Sequence, residues 1–277
     1  MTDQFRARVH ALFDLDPVDI DTYRHVPRRP AGGRFMGPGR LFGGQVASQA
    51  LYAAARTVKA DHPVNSLHAY FLRPGRYDVP VDYAVDRIRD GSSFTTRRVV
   101  ALQEGDAILN LDASFHVDEP GEEHQPASPV ARAGPPEEGG EAPEPPWGRM
   151  GRPIERRAAR SGSPGGRSVW VRVPTRLADD PVLHACMLTF LSDMGPVGVV
   201  SGSLTLPREA RMMASLDHCM WFHHPARADE WLLYELEPVA TARARGVARG
   251  TLWTRQGVLA ASLVQEVLAR PRDPRRG

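Results

Sequence analysis

The chain is poor in cysteine and almost without lysine. Its 277 residues hold two cysteines, Cys186 and Cys219, with no C-x-x-C pair and no metal-ligand spacing. That excludes a disulfide-stapled scaffold and fits a reduced, cytoplasmic setting. Lys59 is the one lysine; the rest of the 35 basic residues are arginine, and 33 acidic residues leave a net charge of +2. Such a balance lacks the basic footprint of a nucleic-acid binder. An arginine bias spread over the whole chain also means that arginine clusters carry little functional weight. The opening MTDQFRARVHALFDLD has no apolar core of the signal-peptide kind. Phe5, Val9, Leu12 and Phe13 are instead spaced as one face of a short amphipathic helix. No apolar run reads as a membrane span, so a soluble protein is expected.

What the chain does have is a pattern used twice. VVALQEGDAILNLDASFHV (Val99 to Val117) is two alternating runs joined at Gln103-Glu104-Gly105, and RGTLWTRQGVLAASLVQEVLAR (Arg249 to Arg270) repeats it around Arg255-Gln256-Gly257. Aligning Gly105 with Gly257 places Ala113 opposite Gln265. Side chains alternate along a strand, so Leu259, Ala261, Leu263 and Val267 share a face with Gln265. That face is apolar except for one amide, and a buried amide is costly unless partnered.

Each copy also has a helical stripe ahead of its strands. Phe42-Gly43-Gly44-Gln45 leads into Val46, Ala47, Ala50, Leu51, Ala54 and Val58. In the second half a strand near Ser168–Val173 precedes a helix from about Asp180 to Asp193. Strands are expected around 65–72, 79–89, 94–103 and 107–116, then around 213–223, 231–241, 245–254 and 258–268. A long apolar helix followed by four antiparallel strands, made twice, predicts an α+β fold of two tandem units, each a sheet wrapped around its helix. The units span 1–117 and 165–277. Between them, 118–164 is rich in Pro, Gly, Glu and Arg and reads as a largely disordered linker with one short strand near Pro153 to Arg157. Its basic stretch, Arg149 to Arg160, is either solvated linker or an anion contact, with the solvated linker the reading that charge runs favour.

Three polar residues invite chemistry. Asp193 ends the apolar run Val182 to Leu191 just before Gly195-Pro196, and a carboxylate in a last helical turn opposes the helix dipole. It is either functional or an exposed acid at a frayed end. Ser215 shares a strand face with Met213, Asp217, Cys219 and Trp221 on a strict period of two, where a serine is most often structural. With Gln265, these could hold and deprotonate a water, the acid acting as general base. Gly43, Gly44 and Gln45 enter a helix, where backbone N–H groups suit an oxyanion, or else simply pack tightly. His68, His116, His218, His223 and His224 form no metal set by spacing, and both cysteines read as packing residues.

The segments LFGGQVASQALYAAARTV, SLHAYFLRPG, RIRDGSSFTTRRVVALQEGDAI, ASFHVDEPGEEHQ, SDMG, SLDHCMWFHHPARADEWLLYELEP and ARGVARGTLWTRQGVLAASLVQE together resemble type II acyl-CoA thioesterases. The resemblance covers the chain apart from the linker. It implies a double hotdog fold, hydrolysis of fatty acyl-CoA to free acid and coenzyme A, no cofactor, and a homo-oligomer. It also implies a water-ordering site of Asp193 (from SDMG), Ser215 (two before the Asp-His of SLDH) and Gln265 (from VQE), with serine standing where the family commonly has threonine. The competing readings are an enoyl-thioester hydratase or dehydratase, which would want an Asp/His pair that this trio lacks, and a non-catalytic acyl-thioester binder.

Overall fold

A computed structural model describes residues 2–29, 40–142 and 154–272. In chain order the helices are α1 (Thr2–Leu12), α2 (Gly43–Ala55), α3 (Val130–Ala133), α4 (Pro181–Ser192) and α5 (Pro196–Gly202). The strands are β1 (Asp16–Asp19), β2 (Thr22–His25), β3 (Val64–Phe71), β4 (Val81–Asp90), β5 (Phe94–Gln103), β6 (Asp106–His116), β7 (Glu155–Ala158), β8 (Arg167–Arg172), β9 (Arg211–Ser215), β10 (Asp217–Phe222), β11 (Leu232–Ala242), β12 (Arg245–Thr254) and β13 (Leu259–Pro271).

Two helices carry the core. Asp180 caps α4, its Oδ1 accepting the Val182 N–H at 2.9 Å, and Pro181 occupies the first turn where a missing N–H costs nothing. From Cys186 onward every residue of α4 is buried, as expected of a helix enclosed on all sides. Burying side chains such as Met187, Leu188, Phe190 and Leu191 contributes about 1.5–3 kcal/mol each. The stretch Pro181–Gly202 is, against the expectation from sequence, long and apolar enough by composition to cross a bilayer; 72% of its most apolar window lies buried inside the protein. Beside it, α2 presents Ala47, Ala50, Ala53 and Ala54, all buried, whose small side chains let the helices approach closely. The two helices run antiparallel, with the rings of Phe42 and Phe190 edge to face at 5.1 Å.

Around them runs a single antiparallel sheet in the order β1-β2-β4-β5-β6-β3-β10-β13-β12-β11-β8-β7, with β9 also paired to β13. The two expected units meet in its middle, where β3 pairs with β10 from Ser66↔Trp221 to Tyr70↔Asp217. Leu109, Leu111, Ala113 and Phe115 of β6, and Ala261, Leu263, Gln265 and Val267 of β13, point inward as alternation prescribes. A register shift opposite Leu252–Trp253 turns Leu259, which alternation had grouped with them, to the other face beneath the linker. The joining glycines of the repeat adopt the left-handed backbone that glycine tolerates, φ +86° at Gly105 and +84° at Gly257.

The linker departs from expectation. Its described parts, 118–142 and 154–164, are docked on the second unit rather than disordered. Gln125 brackets the β12–β13 turn, donating to the Gly257 carbonyl at 2.9 Å and accepting the Leu259 N–H at 3.0 Å. Glu137 makes a two-point ion pair with Arg255 at 2.7 and 2.9 Å. Beneath them Ala133, Trp170, Leu233, Trp253 and Leu259 form a small apolar cluster, with Trp170 Nε1–H donating to the Gly134 carbonyl at 2.9 Å. The physical reason is composition read too coarsely: scattered Val130, Ala133 and Ala142 bury enough surface to hold a strap. β7 matches the expected short strand, while 143–153 lies outside the described residues. Of the basic stretch, Arg157 pairs with Glu155 at 3.2 Å and Arg160 donates to the Arg132 carbonyl at 3.0 Å, so these two serve the protein itself.

Candidate active site

A helix begins with backbone N–H groups that lack partners, and α2 has no side-chain cap from its own segment. The cap comes from the other unit. Asp193, the residue after α4, accepts the Gly44 N–H on Oδ2 at 2.7 Å. The dipole conflict noted at the end of α4 is thereby offset by the positive end of α2, and Asp193 is buried rather than frayed, 6% exposed. This close approach requires glycine. A Cβ on Gly44 would come within 2.8 Å of the Phe190 carbonyl oxygen, and one on Gly43 within 3.0 Å of Asp193 Oδ2.

Ser215 and Gln265 converge on the other carboxylate oxygen. Gln265 Nε2 donates to Asp193 Oδ1 at 3.0 Å and to Ser215 Oγ at 2.7 Å, and Ser215 Oγ donates to Asp193 Oδ1 at 3.2 Å. The route by which Ser215 arrives differs from the strict alternation expected of one continuous strand. Ser215 pairs with Val267 and Cys219 with Val264, so four steps on one strand oppose three on the other. This β-bulge at Leu216–Asp217 is held by the Glu266 N–H bonded to Asp217 Oδ1 at 2.6 Å. It turns Ser215 inward, away from the face of Cys219 and Trp221 with which the period of two had grouped it.

The bulge also brings in a residue that the sequence reading set aside. His218 is fully buried, its Nδ1 at 2.6 Å from Gln265 Oε1 and its Nε2 at 2.7 Å from Ser192 Oγ. Burial holds its pKa below the ordinary histidine value, against the opposing pull of the Asp193 carboxylate. Behind it, the Tyr234 hydroxyl donates to the Ser192 carbonyl, and burial pushes that phenol's pKa well up, so it stays a neutral donor. Burial likewise raises the thiols of Cys186 and Cys219, which disfavours the thiolate a cysteine nucleophile needs. Among the described residues no His, Cys, Asp and Glu cluster suits a metal ion.

A buried carboxylate, hydroxyl and amide sharing one point, at the seam of two helix-filled half-sheets, can now be compared with known proteins. The description "Acyl-CoA thioesterase N-terminal domain" matches residues 33–116, and "Acyl-CoA thioesterase C-terminal domain" matches residues 126–269. The chain belongs to the acyl-CoA thioesterase family. It is 37% identical to acyl-coenzyme A thioesterase 8 of Mus musculus over 95% of this chain and 88% of that protein. It is 31% identical to acyl-CoA thioesterase 2 of Haemophilus influenzae over 98% and 99% of the two chains. Among solved structures it resembles the acyl-CoA thioesterase II TesB2 of Mycobacterium marinum, with a TM-score of 0.84, 37% identity and coverage of 96% and 99%. The fold is thus the hotdog α+β fold of these thioesterases, made twice.

In this thioesterase-family chain the two halves are chemically unequal. Gln265 pairs with Ala248 of β12, and its counterpart Ala113 pairs with Arg97 of β5. His218, bonded to Gln265, corresponds to Leu67, which pairs with Ala113. In the first unit the buried Arg97 fills the equivalent space, donating to Thr57 Oγ1 at 2.8 Å and to the Thr57 carbonyl at 3.0 Å just beyond α2. Of the backbone donors that the sequence suggested at Gly43, Gly44 and Gln45, two have partners within the protein. The Gly44 N–H is bound to the acid, and the Gln45 N–H donates to the Phe42 carbonyl at 3.1 Å.

His218 had left a readable signal. It alternates with Met220 and Phe222 as the polar member of an apolar register, just as Gln265 does on β13.

Proposed function

We propose that the chain hydrolyses fatty acyl-CoA to free acid and coenzyme A through a water activated by Asp193. The observation that carries this reading is the meeting of Ser215 Oγ and Gln265 Nε2 on Asp193 Oδ1, at 3.2 and 3.0 Å. A water there is oriented by the hydroxyl and the amide and loses a proton to the carboxylate. The hydroxide adds to the thioester carbonyl; the tetrahedral adduct then breaks its C–S bond, and the departing thiolate takes the proton from Asp193. As Asp193 gains its proton its hold on the Gly44 N–H weakens, while negative charge grows on the substrate oxygen near the positive end of α2. No covalent intermediate and no cofactor enter this scheme.

The hydratase reading is disfavoured although a histidine is present, because both nitrogens of His218 are engaged by Gln265 and Ser192. Incubation with acyl-CoAs of varied chain length, following free thiol, separates the readings. Hydrolysis releases thiol stoichiometrically, whereas hydration or binding alone releases none, and no release would sink the proposal.

Self-association and a cytoplasmic site of action belong to the same reading. Tyr70, Trp221 and Val264 stand exposed on the neighbouring strands β3, β10 and β13, a patch suited to a second copy. The two unpaired cysteines suit a reducing compartment.

A further inference from the structure

We propose that His218 is a positioning residue for hydrolysis, its Nδ1–H fixing the Gln265 amide so that both amide hydrogens face Asp193 and Ser215. This rests on the hydrolytic site described above. The Gln265 nitrogen has two acceptors in reach, Asp193 Oδ1 at 3.0 Å and Ser215 Oγ at 2.7 Å, so both of its hydrogens are used. Its oxygen is then left 2.6 Å from His218 Nδ1, and an oxygen at that distance requires the ring nitrogen to carry the hydrogen. The neutral ring accepts at Nε2, where the Ser192 hydroxyl lies at 2.7 Å. Ser192 has one hydroxyl hydrogen, so with this tautomer it donates to Nε2 in place of the Thr189 carbonyl, which lies 2.8 Å away.

The network starts at Ser192, passes through His218 and Gln265, and closes on Asp193, the next residue in the chain. Such a loop holds the amide when the carboxylate cannot. While Asp193 is ionised, it repels an amide oxygen and selects the orientation by itself. Once it has taken the water's proton, a carboxylic acid can serve either orientation. The His218 Nδ1–H still donates only to the amide oxygen, so Gln265 stays aligned through the proton transfer.

The test compares three substitutions. An asparagine amide reaches the place of Nδ1 and a glutamine amide reaches that of Nε2, while leucine reaches neither as a donor. His218→Asn is expected to keep kcat within about fivefold, and His218→Gln and His218→Leu to lose about tenfold to a hundredfold in kcat with KM little changed. All three losing alike, or none losing, overturns the proposal. Nitrogen-15 NMR of the unsubstituted protein supplies a readout free of folding effects. The Nδ1–H tautomer is expected, and an Nε2–H tautomer overturns the proposal. Asp193→Asn run alongside separates the two claims. Its retained turnover removes the hydrolytic site and this role together, whereas an inactive Asp193→Asn beside a fully active His218→Leu removes this role alone.

Discussion

Replacing Asp193 by asparagine tests the site most directly, because the substitution keeps shape and changes only charge and donor pattern. The carboxylate accepts hydrogen bonds from Gly44 N–H at 2.7 Å, Gln265 Nε2–H at 3.0 Å and Ser215 Oγ–H at 3.2 Å, among its contacts. An asparagine side chain offers one oxygen and one NH2 group, so in either orientation its NH2 meets a donor. A buried donor left without an acceptor costs about 1–3 kcal/mol. Set against a typical stability of about 5–15 kcal/mol, that leaves a folded protein with Tm lowered by a few degrees. Loss of the general base is worth far more in rate, about a hundredfold to ten-thousandfold in kcat. Thiol release at saturating acyl-CoA and a thermal melt measure the two effects on one sample. Turnover near the unsubstituted level would remove Asp193 as the base, and an unchanged Tm would refute the three-donor cradle.

Three further outcomes follow from particular contacts. Gly44→Ala is expected to lower both Tm and kcat, since its Cβ would lie 2.8 Å from the Phe190 carbonyl oxygen and must push α2 away from Asp193; unchanged values for both would contradict the fit. His25, His184 and His218 are buried and have lowered pKa values, chiefly through that burial. The unfolded chain therefore takes up protons below about pH 6.5 that the folded chain refuses. Stability is full above that pH and falls beneath it, by up to about 1.4 kcal/mol per pH unit for each such proton; a Tm that stays flat or rises from pH 7 to pH 5 would contradict this. Trp221→Glu is expected to yield a smaller particle in light scattering, and a monomeric unsubstituted protein would refute the proposed self-association.

How far the sequence discloses this arrangement depends on the kind of signal each element leaves. Periodicity made α2, α4 and the principal strands legible, and the single amide on an apolar face pointed to Gln265 before any geometry was known. Asp193 was legible as a conflict with its own helix, although the helix that resolves the conflict lies in the other half and only packing reveals it. Ser215 was placed by motif and misplaced by pattern, because a bulge leaves no trace in alternation. His218 left its own signal as the polar member of an apolar register, but strict alternation set it on the opposite face from Ser215 and so kept the two apart. The linker was misjudged because a few anchoring residues, Gln125, Val130 and Glu137 among them, dock a segment whose average composition resembles a disordered one.

The buried guanidinium of Arg97 has a consequence for stoichiometry. Two antiparallel helices offer two places where the start of one meets the end of the other, and duplication could have left a water site at each. At one end the Asp193 carboxylate joins them through the Gly44 N–H; just beyond the C-terminal end of α2, Arg97 binds the carbonyl of Thr57 instead. On the proposed hydrolytic reading, each chain is expected to carry one equivalent of active site. A tight-binding mimic of the tetrahedral adduct would titrate at one molecule per chain, and Ala113→Gln alone would leave that number unchanged while Arg97 remains.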